Sequence, residues 1–264
     1  YIDVFQDDSG ILTETDVDRD TAGEYVGSQS STSGNGAYPS DANTLLLLHC
    51  EGSDGGTTFT DSSSHNRTVT IGGSTTTQTD QAKYGSSCAD MGYKNDASGG
   101  YNGNSLSVAN HSDFNFDESD FTIECWLYLS SFPPNGSNTT YEIFNMAGTD
   151  SSDAAGAFHF NLWQSKLYAN TYKANGSNTS ADWVMNDPNN LIMNQWIHVA
   201  LVRDGNTMRM YRDGSQVATA ALSQHNGGYK LNHTTLGSKV WIGERAYNHT
   251  YGWIYGYLDE YRVS

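Results

Sequence analysis

Two Asp-Gly pairs, Asp204-Gly205 and Asp213-Gly214, divide the stretch from Trp196 to Leu222. A tight hairpin turn needs positive φ at its central residues, which Gly accepts freely and Asp tolerates. The run Trp196–Val202 is apolar on both of its alternating faces, as is typical of a central strand. Residues 208–211 alternate Met with Arg and Tyr, which indicates a half-buried strand. We therefore expect a β-meander.

Similar runs recur from Leu45 onward, with turn residues between them, and no amphipathic helical stretch competes with them. They read "LLLLHC", "TVTI", "SLSV", "FTIECWLYL", "YEIFNMA", "AFHFNLW", "KLYANTY", "KVWIGER" and "WIYGYLDEYRV". Hydrophobic residues make up only 36% of the chain, but Tyr 17, Phe 9 and Trp 6 supply large apolar areas. Many short strands at regular spacing predict an all-β sandwich or barrel.

The segment "FTIECWLYL" shows the alternation of a strand most clearly. Phe121, Ile123, Cys125, Leu127 and Leu129 share one face and are expected to be buried. Thr122, Glu124, Trp126 and Tyr128 share the other face. That second face is amphipathic and aromatic, which suits the lining of a concave surface.

Charge excludes some classes of partner. Thirteen Lys and Arg against thirty Asp and Glu give a net charge of −17, which disfavours nucleic acid and anionic membranes. The acidity is compatible with divalent cations, neutral glycans or a salty environment, or with solubility alone. No apolar run reaches the length of a membrane span. The chain begins with Tyr1 and carries no secretory leader, so we expect a processed protein or a piece of a longer one.

The cysteines Cys50, Cys88 and Cys125 form neither a disulfide framework nor a metal-binding spacing. Cys125 is expected to be a small buried hydrophobic residue. The sequence does not decide whether two of the three form a disulfide, nor in which cellular compartment the protein resides.

Four segments together resemble concanavalin A-like, laminin-G-like domains. They are "NTLLLLHCEGSDGGTTFTDSSSHNRTVTI", "KYGSSCADM" leading into "SLSVANHSDFNFDESDFTIECWLYL", "NQWIHVALVRDGNTMRMYRDGSQVA" and "VWIGERAYNHTYGWIYGYLDEYRVS". The resemblance covers about Leu45 to Ser264 and implies a jelly-roll sandwich of two antiparallel sheets. Such domains serve as carbohydrate-binding, adhesion and virion-fibre modules, so the resemblance is more specific for fold than for function.

Residues 1–44 form an extended leader and linker ahead of the sandwich, which we place at residues 45–264. With "FQDDSGI" and "DTAGEYVG", the leader is similar to tail-associated proteins of marine bacteriophages. Its few apolar side chains cannot enclose a core, so we expect them to pack on a neighbouring subunit of a homo-oligomer. These residues are Ile2, Val4, Phe5, Ile11, Leu12, Tyr25 and Val26.

Calcium is the cofactor that the resemblance suggests, since related domains often hold a structural Ca²⁺ with loop carboxylates. Asp54 and Asp61 follow the first strand, and Asp259 lies in the last. The first and last strands of a jelly roll are usually neighbours, so Asp61 and Asp259 are expected to converge. The alternative is that Asp61 caps a turn and that Asp259 pairs with Arg262 or a backbone amide.

Aromatic residues near the C-terminus form the candidate glycan site. Tyr247, His249, Tyr251 and Trp253 lie among Asn and Gly, a composition suited to stacking on sugar rings. Core packing is the rival interpretation for Trp253 and the aromatic residues after it.

No catalytic pattern is present. The E-x-D-x-x-E arrangement of laminarinase-type glucanases is absent, Glu124 stands alone, and Asp259 and Glu260 are expected on opposite faces of a strand. His198 matches a position that is ordinarily His in the resembled family, where it looks structural. We therefore expect a non-enzymatic module of a virion surface, a tail fibre or decoration protein that binds host glycans or neighbouring subunits. The alternatives are a secreted bacterial carbohydrate-binding or adhesion module and, third, a glycoside-active enzyme.

Overall fold

The computed structural model describes residues 37–92, 104–116, 118–133, 140–146, 158–172, 181–222, 239–244 and 253–264. These residues form antiparallel strands and one 3-10 turn at Ser112–Phe114, with no α-helix among them. The strands build two sheets that face each other across a single large core. The expected all-β, jelly-roll sandwich is confirmed.

The eight-stranded sheet has the order β13-β12-β11-β6-β15-β4-β3, and β1 pairs with β15 beside β4. Its strands are β1 (Leu46–Leu48), β3 (Thr76–Gln78), β4 (Cys88–Asp90), β6 (Phe121–Leu129), β11 (Trp196–Asp204), β12 (Thr207–Arg212), β13 (Ser215–Ala221) and β15 (Gly256–Val263).

The seven-stranded sheet has the order β10-β9-β8-β7-β14-β5-β2. Its strands are β2 (Val69–Gly72), β5 (Ser105–Ala109), β7 (Thr140–Met146), β8 (Phe158–Trp163), β9 (Lys166–Tyr172), β10 (Ala181–Asn186) and β14 (Lys239–Ile242). Strands β3 (TTQ) and β4 (CAD) have only three residues each, and β10 (ADWVMN) mixes polar and apolar residues. None of the three was among the strand-like runs of the sequence.

The expected meander is formed by β11, β12 and β13. Gly205 has φ of 56°, and at the second turn Asp213 and Gly214 have φ of 47° and 73°. Positive φ at both central residues gives a turn whose twist matches that of the flanking strands. The Asp-Gly pairs therefore build the scaffold.

A bulge changes which side chains of the last strand face the core. The register of β15 on β6 shifts between Asp259 and Arg262, and Glu260 has φ of 47°. Asp259 and Glu260 consequently both lie on the face opposite the core, while Tyr261 joins the core. The expectation that the two carboxylates occupy opposite faces was wrong, because strict alternation fails where an extra residue enters a strand.

Residues 37–44 pack on the sandwich of their own chain. Tyr38 is buried, its backbone N–H donates to Glu260 Oε2 at 2.8 Å, and the Arg262 guanidinium lies 5.0 Å from its ring centroid. Tyr38, Leu47 and Trp126 form a second hydrophobic cluster outside the main core. The seven apolar residues of the leader, from Ile2 to Val26, lie outside the described residues, so their packing on another subunit stays a prediction.

Cys50, Cys88 and Cys125 are buried free thiols. Burial raises the pKa of all three, so they remain protonated and unreactive at neutral pH. In the part of the chain that the structure describes, no helix is long and apolar enough to cross a membrane.

Candidate functional site

One face of the seven-stranded sheet is polar and points away from the core. On β8, Phe158, Phe160 and Leu162 enter the core, so the alternating residues His159, Asn161 and Trp163 face outward. On β7 the register shifts between Glu142 and Phe144, so that Ile143 and Phe144 both enter the core while Glu142 and Asn145 face outward.

The strand register arranges the outward side chains in rows across the sheet, with neighbouring strands about 4.8 Å apart. We call the residues of three such rows the polar face. The first row contains Thr70, Ser107, Trp241, Asn145, His159, Asn170 and Val184. The row on one side of it contains Glu142, Asn161, Tyr168 and Asn186, and beyond that row lie Thr140, Trp163 and Lys166.

The centre of the polar face is buried and hydrogen-bonded. His159 Nδ1 lies 3.2 Å from Glu142 Oε2 and 2.6 Å from Asn145 Nδ2. Thr140 Oγ1 donates to Glu142 Oε1 at 2.5 Å. These contacts hold the Glu142 carboxylate and the imidazole ring in fixed positions.

Asn161 lies opposite Glu142 on the neighbouring strand, beside this network. Its Nδ2 donates to Asn170 Oδ1 at 3.4 Å, but its Oδ1 is one of the buried oxygens without a hydrogen-bond partner among the described residues. Leaving a buried acceptor unsatisfied costs about 1–3 kcal/mol, and such a group calls for an explanation.

The periphery of the face is accessible and aromatic. The Trp163 side chain is 38% exposed and meets the Tyr168 ring edge-to-face at 5.3 Å between centroids. Burial raises the pKa of Tyr168, so its hydroxyl stays neutral and can both donate and accept. Farther along the face, Lys239 Nζ lies 4.7 Å from the Trp241 ring centroid.

The predicted glycan-binding residues belong to the segment between β14 and β15, which begins beside this face. Gly243 N donates to Glu142 O at 2.9 Å, and Glu244 Oε2 accepts from Ser105 Oγ at 2.7 Å. Tyr247, His249 and Tyr251 lie outside the described residues, so their role stays a prediction. Trp253 is half-buried, immediately before the core residue Ile254.

Of the three predicted calcium ligands, Asp61 is fully engaged by its own surroundings. Its Oδ1 accepts from the backbone N–H of Leu47 and Ser63 at 3.0 and 2.9 Å. Its Oδ2 accepts from Ser63 Oγ and Arg67 N at 2.9 and 2.8 Å. These bonds account for the buried carboxylate as the cap of a loop, the alternative that the sequence left open.

Asp259 and Asp54 have different environments. Asp259 Oδ2 accepts from Lys83 N and Tyr84 N at 2.9 and 3.0 Å. Burial raises the pKa of Asp259 to about 8, although these backbone donors oppose the shift. Asp54 is exposed, with Thr79 N at 3.4 Å. The first and last strands are neighbours, as expected, but among the described residues no three His, Cys, Asp or Glu side chains form a group able to hold a metal ion. Calcium binding stays a prediction.

Glu124 and His198 belong to a buried ion-pair network on the other sheet. Arg262 Nε donates to Glu124 Oε1 at 2.7 Å, and His198 Nε2 lies 3.2 Å from Glu124 Oε2. Burial disfavours ionisation of Glu124, but the charge of Arg262 and the contact with His198 lower its pKa overall. This geometry agrees with a structural role for His198 and makes Glu124 part of the scaffold.

Sequence reasoning identified β8 and β9 as strands but missed the polar face. The signal was present in "FHFNLW" and "KLYANTY", where every second residue is polar or a large aromatic. Only the cross-strand register shows that these alternating residues adjoin Glu142, Asn145 and Trp241.

Residues 99–264 match the family model described as the concanavalin A-like lectin/glucanases superfamily. No curated protein matches the sequence.

Three solved structures illustrate the likeness in fold. The binding domain of Paraclostridial Mosquitocidal Protein 1 is 14% identical with a TM-score of 0.57, and the match covers 84% of this chain and 48% of that one. The binding domain of Botulinum Neurotoxin DC in complex with SialylT is 14% identical with a TM-score of 0.53, covering 84% and 47%. Domain 4 of AbnA, a GH43 extracellular arabinanase from Geobacillus stearothermophilus, in complex with arabinotriose, is 12% identical with a TM-score of 0.53, covering 83% and 91%. The chain thus spans about half the length of the two toxin domains.

Proposed function

Because the chain belongs to the concanavalin A-like lectin/glucanases superfamily, we propose that it is a carbohydrate-binding module that holds a neutral glycan on its polar face. The observation that carries the proposal is the accessible edge-to-face pair of Trp163 and Tyr168 on that face, where Trp163 is 38% exposed.

The surrounding side chains suit the rest of a sugar ring. Trp163 and Tyr168 offer apolar ring surface for the C–H groups of a pyranose or furanose, a contact driven by dispersion and by the release of water. Asn170, Asn186 and Lys166 supply polar groups on adjacent strands. Concave or planar sites with a few fixed polar groups among aromatic residues are typical of ligand recognition.

Two further observations support the class of ligand. A net charge of −17 disfavours polyanionic glycans and leaves neutral ones. The AbnA domain, whose whole length nearly matches this chain, is described in complex with arabinotriose.

Binding without cleavage is the form of the function that we propose. Hydrolysis of a glycosidic bond ordinarily needs two carboxyl groups about 5–9.5 Å apart. Glu142 is the one carboxylate in the three rows of the polar face, and it is held by Thr140 and His159.

A glycan array followed by calorimetric titration tests the proposal, and each ligand found is then assayed for hydrolysis. We expect Trp163→Ala and Tyr168→Ala each to weaken binding at least tenfold, equivalent to about 1.4 kcal/mol. Tyr255→Ala is the matched control, because Tyr255 is equally exposed, at 40%, and lies outside the face. Equal affinity of all three variants, or release of sugar from a bound ligand, would count against a binding module of this kind.

The biological setting that we propose is a virion surface, with a secreted bacterial module as the alternative. The similarity of the leader to phage tail-associated proteins supports the first. Antibody labelling of purified particles by electron microscopy separates the two, since a secreted module would be found in the culture supernatant and not on particles.

A further inference from the structure

A second row of aromatic side chains crosses the eight-stranded sheet, on the face opposite the core. Tyr257 on β15 pairs with Tyr128 on β6, which pairs with Trp196 on β11. The row continues through Asp90 on β4 to Thr76 on β3. We call these five residues the aromatic row.

The three rings form one continuous surface. Tyr128 meets Trp196 and Tyr257 edge-to-face, with centroids 5.7 and 5.6 Å apart. All five side chains of the row are half-exposed. Burial and the neighbouring Asp90 carboxylate raise the pKa of Tyr257, which keeps its hydroxyl neutral.

The neighbouring row of the same sheet is covered, which shows where the accessible surface begins. It consists of Asp259, Trp126 and His198, all buried. Tyr38 packs over His198, and Tyr84 meets Trp126 edge-to-face at 5.7 Å. The cover of the sheet therefore ends beside the aromatic row and leaves its rings open.

We propose that the aromatic row is a second carbohydrate-binding surface, which takes a neutral polysaccharide lying across the strands. Three adjoining rings present apolar surface to successive sugar rings, and Thr76 at one end presents a hydroxyl that can bond a sugar hydroxyl. The Asp90 carboxylate and the net charge of −17 repel sulfated or uronic chains. This surface extends the proposed function but does not depend on the polar face, which lies on the other sheet.

The competing explanation is that the rings only stabilise the sheet, because cross-strand aromatic pairs contribute roughly 0.2–1 kcal/mol each. That role predicts an effect on unfolding and none on binding. If the protein has two binding surfaces, a single molecule should also cross-link polysaccharide chains. Rings that only stabilise the sheet would not produce this effect.

The test is a titration of ¹⁵N-labelled protein with arabinotriose and with neutral β-glucan oligosaccharides, followed through the indole N–H signals of the tryptophans. The Trp196 signal reports the aromatic row, and the signals of Trp163 and Trp241 report the polar face. We expect Trp196 to shift at millimolar sugar, and to shift equally in a Trp163→Ala variant. Tyr257→Thr should abolish the Trp196 shift, while Tyr211→Thr, which alters another half-exposed Tyr of a strand in the same sheet, should leave it intact.

The outcomes separate the two proposals. A Trp196 signal that stays fixed while Trp163 and Trp241 shift overturns the aromatic row and leaves the polar face standing. A Trp196 shift that disappears in Trp163→Ala also overturns it, since the change then spreads from the other sheet. A Trp196 shift with fixed Trp163 and Trp241 signals supports the aromatic row and refutes the polar face.

Discussion

Replacing Arg262 by Met should destabilise the protein severely, because it leaves the charge of Glu124 buried without its partner. Glu124 is fully buried and Arg262 is 3% exposed, and their closest contacts are 2.5 and 2.7 Å. Removing one partner of a buried ion pair costs about 3–5 kcal/mol. That loss is a large fraction of the roughly 5–15 kcal/mol that stabilises a typical domain.

Two further variants isolate the cause. In the double variant Glu124→Leu/Arg262→Met no charge remains unpaired, so most of the lost stability should return. Arg209→Met is the matched control, because its partner Asp204 is 57% exposed and a solvated pair is worth only about 0–1 kcal/mol. Urea unfolding followed by tryptophan fluorescence measures all four proteins.

The direction in which stability changes with pH provides an independent test. In the native protein the pKa of Glu124 is lowered. The contribution of Glu124 to stability is therefore complete above its pKa in the unfolded chain, and it is lost as pH falls through its pKa in the folded protein. Without Arg262, only the contact with His198 opposes the effect of burial, so the pKa of Glu124 should rise. Once it exceeds the ordinary value of 4.5, stability declines as pH rises above that value. An Arg262→Met variant that loses less than about 1 kcal/mol, or a double variant that loses more than Arg262→Met, would refute the reasoning.

Four other predictions follow from the same contacts. Tyr38→Ala should cost about 3–5 kcal/mol by opening the second hydrophobic cluster, whereas the exposed Tyr255→Ala should cost little, as urea unfolding can show. The raised pKa of Asp259 means that stability falls as pH rises from about 4 to about 8, because the folded protein keeps a proton that the unfolded chain releases, so Asp259→Asn should flatten the melting temperature measured over that range. The calcium proposal predicts a lower melting temperature in excess chelator, and an unchanged curve would assign Asp61 to loop capping alone. If the leader joins subunits, a variant lacking residues 1–36 should be monomeric in light scattering where the full chain is not.

Much of the fold follows from patterns that are local in the sequence. Asp213-Gly214 requires positive φ, and this alone predicts a hairpin wherever the rest of the chain lies. The alternation of "FTIECWLYL" likewise predicts which side of β6 is buried, since side chains of a strand point alternately to its two faces. Long, strongly patterned strands were therefore predictable. Strands β3 and β4, with three residues each, and β10, whose apolar residues 183–185 are consecutive, were not.

The candidate site and the network around Glu124 depend on contacts between distant parts of the chain. Glu124 and Arg262 are 138 positions apart, and the bulge at Glu260, which brings Asp259 and Glu260 to the same face, is set by how β15 pairs with its neighbours. The polar face likewise exists because β14 enters the sheet between β5 and β7, which places Trp241 beside Asn145. Alternation along one strand identifies a face, but register between strands decides which side chains share it, and that register follows from the packing of the whole sandwich.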